Sequence, residues 1–122
     1  MEKSKVLIVE DDNLTRNFLS EIILSFGYDV ESCNNGEEAI VQIKDFEPNV
    51  ILSDILMPEF SGLQLLNFVQ KKISRDIPIL LISSLEYSSL EEMVNEIGAT
   101  GFISKPPTKE ILKEELEFAI NG

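Results

Sequence analysis

No histidine occurs in the 122-residue chain, and Cys33 is its single cysteine. The first absence removes a histidine general base and zinc chemistry of the usual kind, and the second removes an internal disulfide. Positive charge is scarce: 10 Lys and Arg against 22 Asp and Glu leave a net charge of -12 at pH 7. A nucleic-acid surface needs a basic patch, so no direct nucleic-acid binding is expected. No apolar run approaches the roughly 20 residues that span a bilayer, and no basic segment with a following apolar core opens the chain. Neither a membrane contact nor a signal peptide is therefore expected. Charge, cysteine usage and the missing signal together point to the cytoplasm. The carboxylates are left to carry any chemistry, with a hard cation such as Mg²⁺ as their natural companion.

The length suits one domain over residues 1–122, with enough chain to bury a proper core. Five short apolar runs alternate with helix-like stretches: Lys5–Val9, Tyr28–Cys33, Val50–Ser53, Ile79–Ser83 and Gly101–Ser104. Four are nearly continuous in apolar character, the pattern of strands buried on both faces. The second, YDVESC, is mixed and belongs at an edge. Leu14, Phe18, Ile22 and Phe26 recur at every fourth position, with Leu19 and Ile23 widening the stripe, so a first amphipathic helix is expected to end at Gly27. Gly36–Lys44 reads as a second helix and Gly62–Ile73 as a third. Ser88 and Ser89, each followed three residues on by Glu91 or Glu92, give overlapping capping boxes for a fourth helix closed by Gly98. Thr108 caps a fifth, with Ile111, Leu112, Leu116, Ala119 and Ile120 facing inward. The alternation predicts an α/β fold: a (βα)₅ doubly wound, five-stranded parallel sheet of flavodoxin-like type, with helices on both faces.

In open α/β sheets, ligands sit outside the carboxyl ends of the strands, near the reversal of strand order. The first strand runs into Glu10-Asp11-Asp12, the third into Asp54, the fourth into Ser83-Ser84 and the fifth into Lys105-Pro106-Pro107. The second runs into Asn34-Asn35-Gly36, read as a turn alone. Each residue has an ordinary explanation by itself: a strand-end hydroxyl for Ser83, a solvated charge for Lys105, a helix cap for Asp12 and above all Asn13. Cys33 reads as a small buried hydrophobe. Carboxylates, a hydroxyl and an ammonium delivered to one rim form a set that the ordinary explanations do not predict.

The chain resembles the receiver domain of bacterial two-component response regulators across nearly its whole length. The resemblance rests on VLIVEDD, ILSDILMPEFSG, PILLISS and GATGFISKP. It implies that Asp54 is the phosphoacceptor, that Lys105 pairs with Asp54 at rest and with a phosphoryl oxygen afterwards, and that Ser83 donates its hydroxyl to another. It implies a Mg²⁺ site, in which Mn²⁺ could substitute, made by Glu10 through a water, Asp11, Asp54 and the Leu56 backbone carbonyl. A cis Lys105–Pro106 bond and a switch built from Ser83 and the strand-five aromatic, Phe102, belong to the same expectation. The switch would repack the face of the fourth and fifth helices and the fifth strand. Such a domain is not an enzyme in the ordinary sense, but a phosphoacceptor that takes part in its own phosphorylation and dephosphorylation. The implied partners are a histidine kinase or phosphohistidine transfer protein, touching Asn13, Leu14 and the Pro106-Pro107 loop. A downstream output domain or protein and a phosphorylation-dependent dimer complete the expected set.

Phosphoryl transfer explains why these residue types are needed. A carboxylate attacks phosphorus poorly because both are negative, so positioning and cations that take up charge do most of the work. Leu56 and Leu85 flank the site and cannot orient an attacking water, which predicts a long-lived phospho-Asp54. Two other readings fit less well. A haloacid dehalogenase-type phosphatase needs a second Asp where Leu56 stands. A receiver-like interaction module without phosphorylation normally lacks one of the acidic pair, the phosphoacceptor or the lysine, and all are present here.

Overall fold

The computed structural model describes residues 3–57, 59–74, 76–84 and 98–122. The expected fourth helix with its capping boxes, Pro58 and Leu85 lie outside them. Five strands form one parallel sheet: β1 (Lys5–Val9), β2 (Asp29–Cys33), β3 (Val50–Asp54), β4 (Ile79–Ser83) and β5 (Gly101–Ser104), in the order β2-β1-β3-β4-β5. The chain steps from β1 outward to β2 and then back across β1 to β3. Strand order therefore reverses between β1 and β3, where a parallel sheet opens a crevice at its carboxyl edge.

Side chains of a strand point alternately to opposite faces, so an all-apolar strand feeds two cores at once. Val6 and Ile8 enter one cluster, Leu7 and Val9 the other; Leu80 and Ile82 divide from Ile79 and Leu81 in the same way. Helices α1 (Asn13–Ser25) and α4 (Lys109–Asn121) cover the first cluster with Leu19, Ile23, Leu112 and Leu116. Helices α2 (Gly36–Phe46) and α3 (Gly62–Phe68) cover the second with Ala39, Ile43, Leu65 and Leu66. The α3 helix continues as a π-helical turn over Val69–Ile73. No helix among the described residues is long and apolar enough to cross a membrane.

Among the described residues, each α-helix starts at a side-chain cap. The Asp12 carboxylate accepts from Thr15 N at 2.8 Å, Asn35 Oδ1 from Glu38 N at 2.8 Å, and Thr108 Oγ1 from Ile111 N at 3.1 Å. Asn35 is thus more than turn material, and Asp12 rather than Asn13 is the cap of α1. Ser61 and Gln64 form a reciprocal capping box ahead of α3.

Three inward-facing assignments are corrected. Leu14 and Phe18 are 81% and 49% exposed, so the core stripe of α1 centres on Leu19 and Ile23. At about 100° per residue, Leu14 and Phe18 stand roughly 160° and 120° around the helix from the midline of Leu19 and Ile23. Ile111 is 45% exposed for the same reason, since it stands roughly 120° from the midline of the fully buried Leu112 and Leu116. Although β5 reads as apolar, it forms the second edge of the sheet and is only partly buried. Cys33 is buried as expected, and burial pushes its thiol up to about 11.

These placements predict that Leu116→Ala destabilises the fold by about 2–5 kcal/mol, whereas Ile111→Ala changes it by no more than about 0.5 kcal/mol. Urea denaturation of both variants checks this, and comparable losses would contradict the assigned face of α4.

Candidate functional site

Glu10, Asp54, Ser83 and Lys105 come together because β1, β3, β4 and β5 are parallel and end on the same edge. Asp54 closes β3 and is buried, with two donors on its carboxylate. Leu56 N donates to Oδ1 at 3.0 Å, and Lys105 Nζ to Oδ2 at 2.6 Å. The following loop doubles back tightly, with Gly62 N donating to the Ile55 carbonyl at 2.9 Å. A Cβ on Gly62 would stand 2.2 Å from the Asp54 carbonyl oxygen, so only glycine lets α3 begin this close to the strand end.

Glu10 makes a contact that the sequence reading does not assign to it. Its side chain is buried, 1% exposed, and holds Lys105 Nζ directly through Oε1 at 2.7 Å. Lys105 therefore bridges Glu10 and Asp54 rather than pairing with Asp54 alone. The other Glu10 oxygen accepts from Asp12 N at 3.1 Å. Asp11 is exposed, yet carboxylate oxygens of Glu10, Asp11 and Asp54 lie within 4.8 Å of one another. That arrangement offers three hard oxygen donors in one place, the donor chemistry of Mg²⁺ and Mn²⁺.

Burial raises the Glu10 carboxyl above its usual range, against the lowering effect of its bonds to Lys105 and Asp12. For Lys105 burial acts downward, but the hydrogen bonds and charges of Asp54 and Glu10 prevail, and its ammonium holds its proton more tightly than usual. The folded state thus gains from the Lys105 pairing at every pH below the ordinary lysine range, and loses that gain as pH rises through the raised value. Glu10 acts in the opposite sense: its raised carboxyl favours the fold most when protonated, at acid pH. Asp12, on the surface, is lowered by the hydroxyl and N–H of Thr15.

Ser83 is buried at the end of β4, and its carbonyl accepts from Lys105 N at 2.8 Å, which docks the end of β5 against it. The Lys105–Pro106 peptide is cis. Phe102 pairs with Leu81 across β4 and β5 and is half-buried against the α2–α3 core. The Leu56 side chain points to solvent. Beside the carboxylates, a groove runs between Leu14 and Phe18 of α1 and Pro106 and Pro107 of the β5–α4 loop.

One participant escapes a reading by strand ends, because it stands inside α1. Arg16 gives only its isolation as a cation just after EDDNLT, yet its Nη1 donates to the Glu10 carbonyl at 2.9 Å and its Nη2 donates to Asn13 Oδ1.

The family model for the response regulator receiver domain matches residues 6–117. The polar-differentiation response regulator DivK of Brucella anthropi is 34% identical over 107 residues, spanning 87% of this chain and 86% of DivK. The probable transcriptional regulator ycf27 of Porphyridium aerugineum is 33% identical over 106 residues, spanning 87% of this chain but 43% of its own length. The chain likewise covers less than half of other curated relatives. The chemotaxis response regulator CheY4 of Vibrio cholerae superposes with a TM-score of 0.88 at 29% identity, covering 96% of this chain and 98% of CheY4. With the acidic site at the expected strand ends and the match running over nearly all of its length, this chain belongs to the response regulator receiver domain family.

Proposed function

We propose that residues 1–122 form one receiver domain in which Asp54 accepts a phosphoryl group, with Lys105 and Ser83 holding it. The observation that carries this reading is the Lys105 ammonium on a buried Asp54 carboxylate, inside a cluster of three acidic groups. In the transfer, an Asp54 oxygen bonds to phosphorus while the P–N bond to a donor imidazole breaks. The imidazole leaves with the bonding pair and takes up a proton. Two donors, the Leu56 N–H and the Lys105 ammonium, hold the carboxylate plane for that attack.

Asp11, Asp54 and the Leu56 carbonyl would hold Mg²⁺ or Mn²⁺, with Glu10 behind them on Lys105. A cation bound there would neutralise charge on the phosphoryl oxygens. Lys105 can release Asp54 and turn to a phosphoryl oxygen while Glu10 keeps it at the site. Ser83 and Phe102 occupy neighbouring strands behind the carboxylates, which supports their role as the switch read out on the face of β5, α4 and the preceding segment. The groove between Leu14, Phe18, Pro106 and Pro107 supports docking of a histidine kinase or phosphotransfer helix, and explains apolar side chains that the core does not use. Output through a further domain, a separate protein or a dimer belongs to this reading, since curated relatives extend well beyond the matched segment. So does a cytoplasmic location, supported by the acidic composition and the single free cysteine. The domain acts as a phosphoacceptor rather than an enzyme.

Incubation with acetyl phosphate and Mg²⁺ is expected to add one phosphoryl mass that hydroxylamine removes, and Asp54→Asn is expected to abolish the addition. A gain that survives in Asp54→Asn would place the acceptor elsewhere. No gain from acetyl phosphate or from a kinase would favour a receiver-like interaction module. The exposed Leu56 side chain bears on lifetime: replacing Leu56 and Leu85 by Asn is expected to speed decay of the phosphorylated form at least severalfold, by giving water a hydrogen-bond partner beside phosphorus. An unchanged decay rate in the same mass assay would contradict that account.

A further inference from the structure

Asp11 is the exposed member of the acidic cluster, so the backbone on either side of it sets where its carboxylate stands. Both flanking peptide planes are anchored. The Asp11–Asp12 peptide donates its N–H to Glu10 Oε2 at 3.1 Å. The Glu10–Asp11 peptide has its carbonyl oxygen on Arg16 Nη1 at 2.9 Å. The second arm of the same guanidinium donates to Asn13 Oδ1, on the first residue of α1. A single half-buried side chain thus ties the acidic loop to the helix that follows it.

From this geometry we propose that Arg16 is a positioning residue for the divalent-cation site: it fixes the Glu10–Asp11 peptide so that Asp11 faces Glu10 and Asp54. The inference rests on the cation reading given above and adds a residue to it. Charge alone argues against an arginine here, because a cation beside a cation site repels the metal. Its two-armed geometry supplies the reason for its presence. Guanidinium presents planar donors to two acceptors at once, whereas the compact ammonium of lysine keeps the charge and loses that fixed fork. Groups that orient a metal ligand commonly contribute one to two orders of magnitude in affinity, about 10- to 100-fold.

The test is direct Mn²⁺ binding, followed by the electron paramagnetic resonance of free Mn²⁺, on the unphosphorylated chain. Arg16→Lys is expected to weaken binding about tenfold or more, with thermal unfolding of the metal-free protein close to wild type. In an Asp11→Asn background, Arg16→Lys is expected to add little, since the ligand being positioned is gone. Arg16→Ala separates the two effects by sign: lost positioning weakens binding, and lost repulsion strengthens it. Wild-type affinity in Arg16→Lys, or tighter binding in Arg16→Ala, would overturn the proposal while leaving the cation site standing. Absence of Mn²⁺ binding by the wild-type chain would instead remove the cation reading, and this inference with it.

Discussion

Three carboxylates drawn into one small space repel one another, and the chain that carries them is already strongly acidic. The site depends on the one ammonium that reaches two of them. Two unit charges about 4 Å apart interact by several kcal/mol at the effective dielectric of a partly buried site, so an uncompensated Glu10–Asp54 pair would press the strand ends apart. Lys105 meets both oxygens within hydrogen-bonding distance. It comes from β5, two strands away from β3, a separation of roughly 10 Å at normal strand spacing. Only a long side chain covers that span, and its backbone is docked for the purpose by the bond from Lys105 N to the Ser83 carbonyl.

Around this ion pair the frame is built from main chain. Gly62 allows α3 to begin against the Asp54 carbonyl, Leu56 N–H holds one Asp54 oxygen, and Asp12 N–H holds one Glu10 oxygen. Backbone groups cannot change rotamer, so an acidic site supported by them keeps its shape when charge arrives or leaves. The mobile element is then the lysine stem. Its two partners give it somewhere to remain when Asp54 changes its chemical state.

The same edge of the sheet presents an opposite chemistry a short distance away. Leu14 and Phe18 stand exposed beside the prolines of the β5–α4 loop. A phosphoryl donor approaching an acidic rim meets electrostatic opposition, and apolar burial is an attraction that does not depend on charge sign. For the docking proposed above, an apolar lip next to an anionic centre would reconcile protein contact with a like-charged reaction.

Local patterning determined much of this protein. Strand number, parallel arrangement, helices on both faces, the edge position of β2 and the residues delivered to the strand ends all follow from apolar runs and their spacing, because periodicity and side-chain alternation are properties of a few consecutive residues. What required the tertiary structure was every relation between distant segments. That Lys105 takes Glu10 as well as Asp54 depends on strand order and reach across the sheet. The same stripe that correctly buries Leu19 and Ile23 wrongly buries Leu14, Phe18 and Ile111, since residues spaced by four drift about 40° per step around a helix and only packing decides which part of a broad apolar arc meets the sheet. An apolar β5 does not announce that it has a neighbour on one side only. Arg16 is legible as a lone cation, but its bond to the Glu10 carbonyl exists only once the β1–α1 loop has closed. Sequence specifies which face an element shows; packing decides what that face meets.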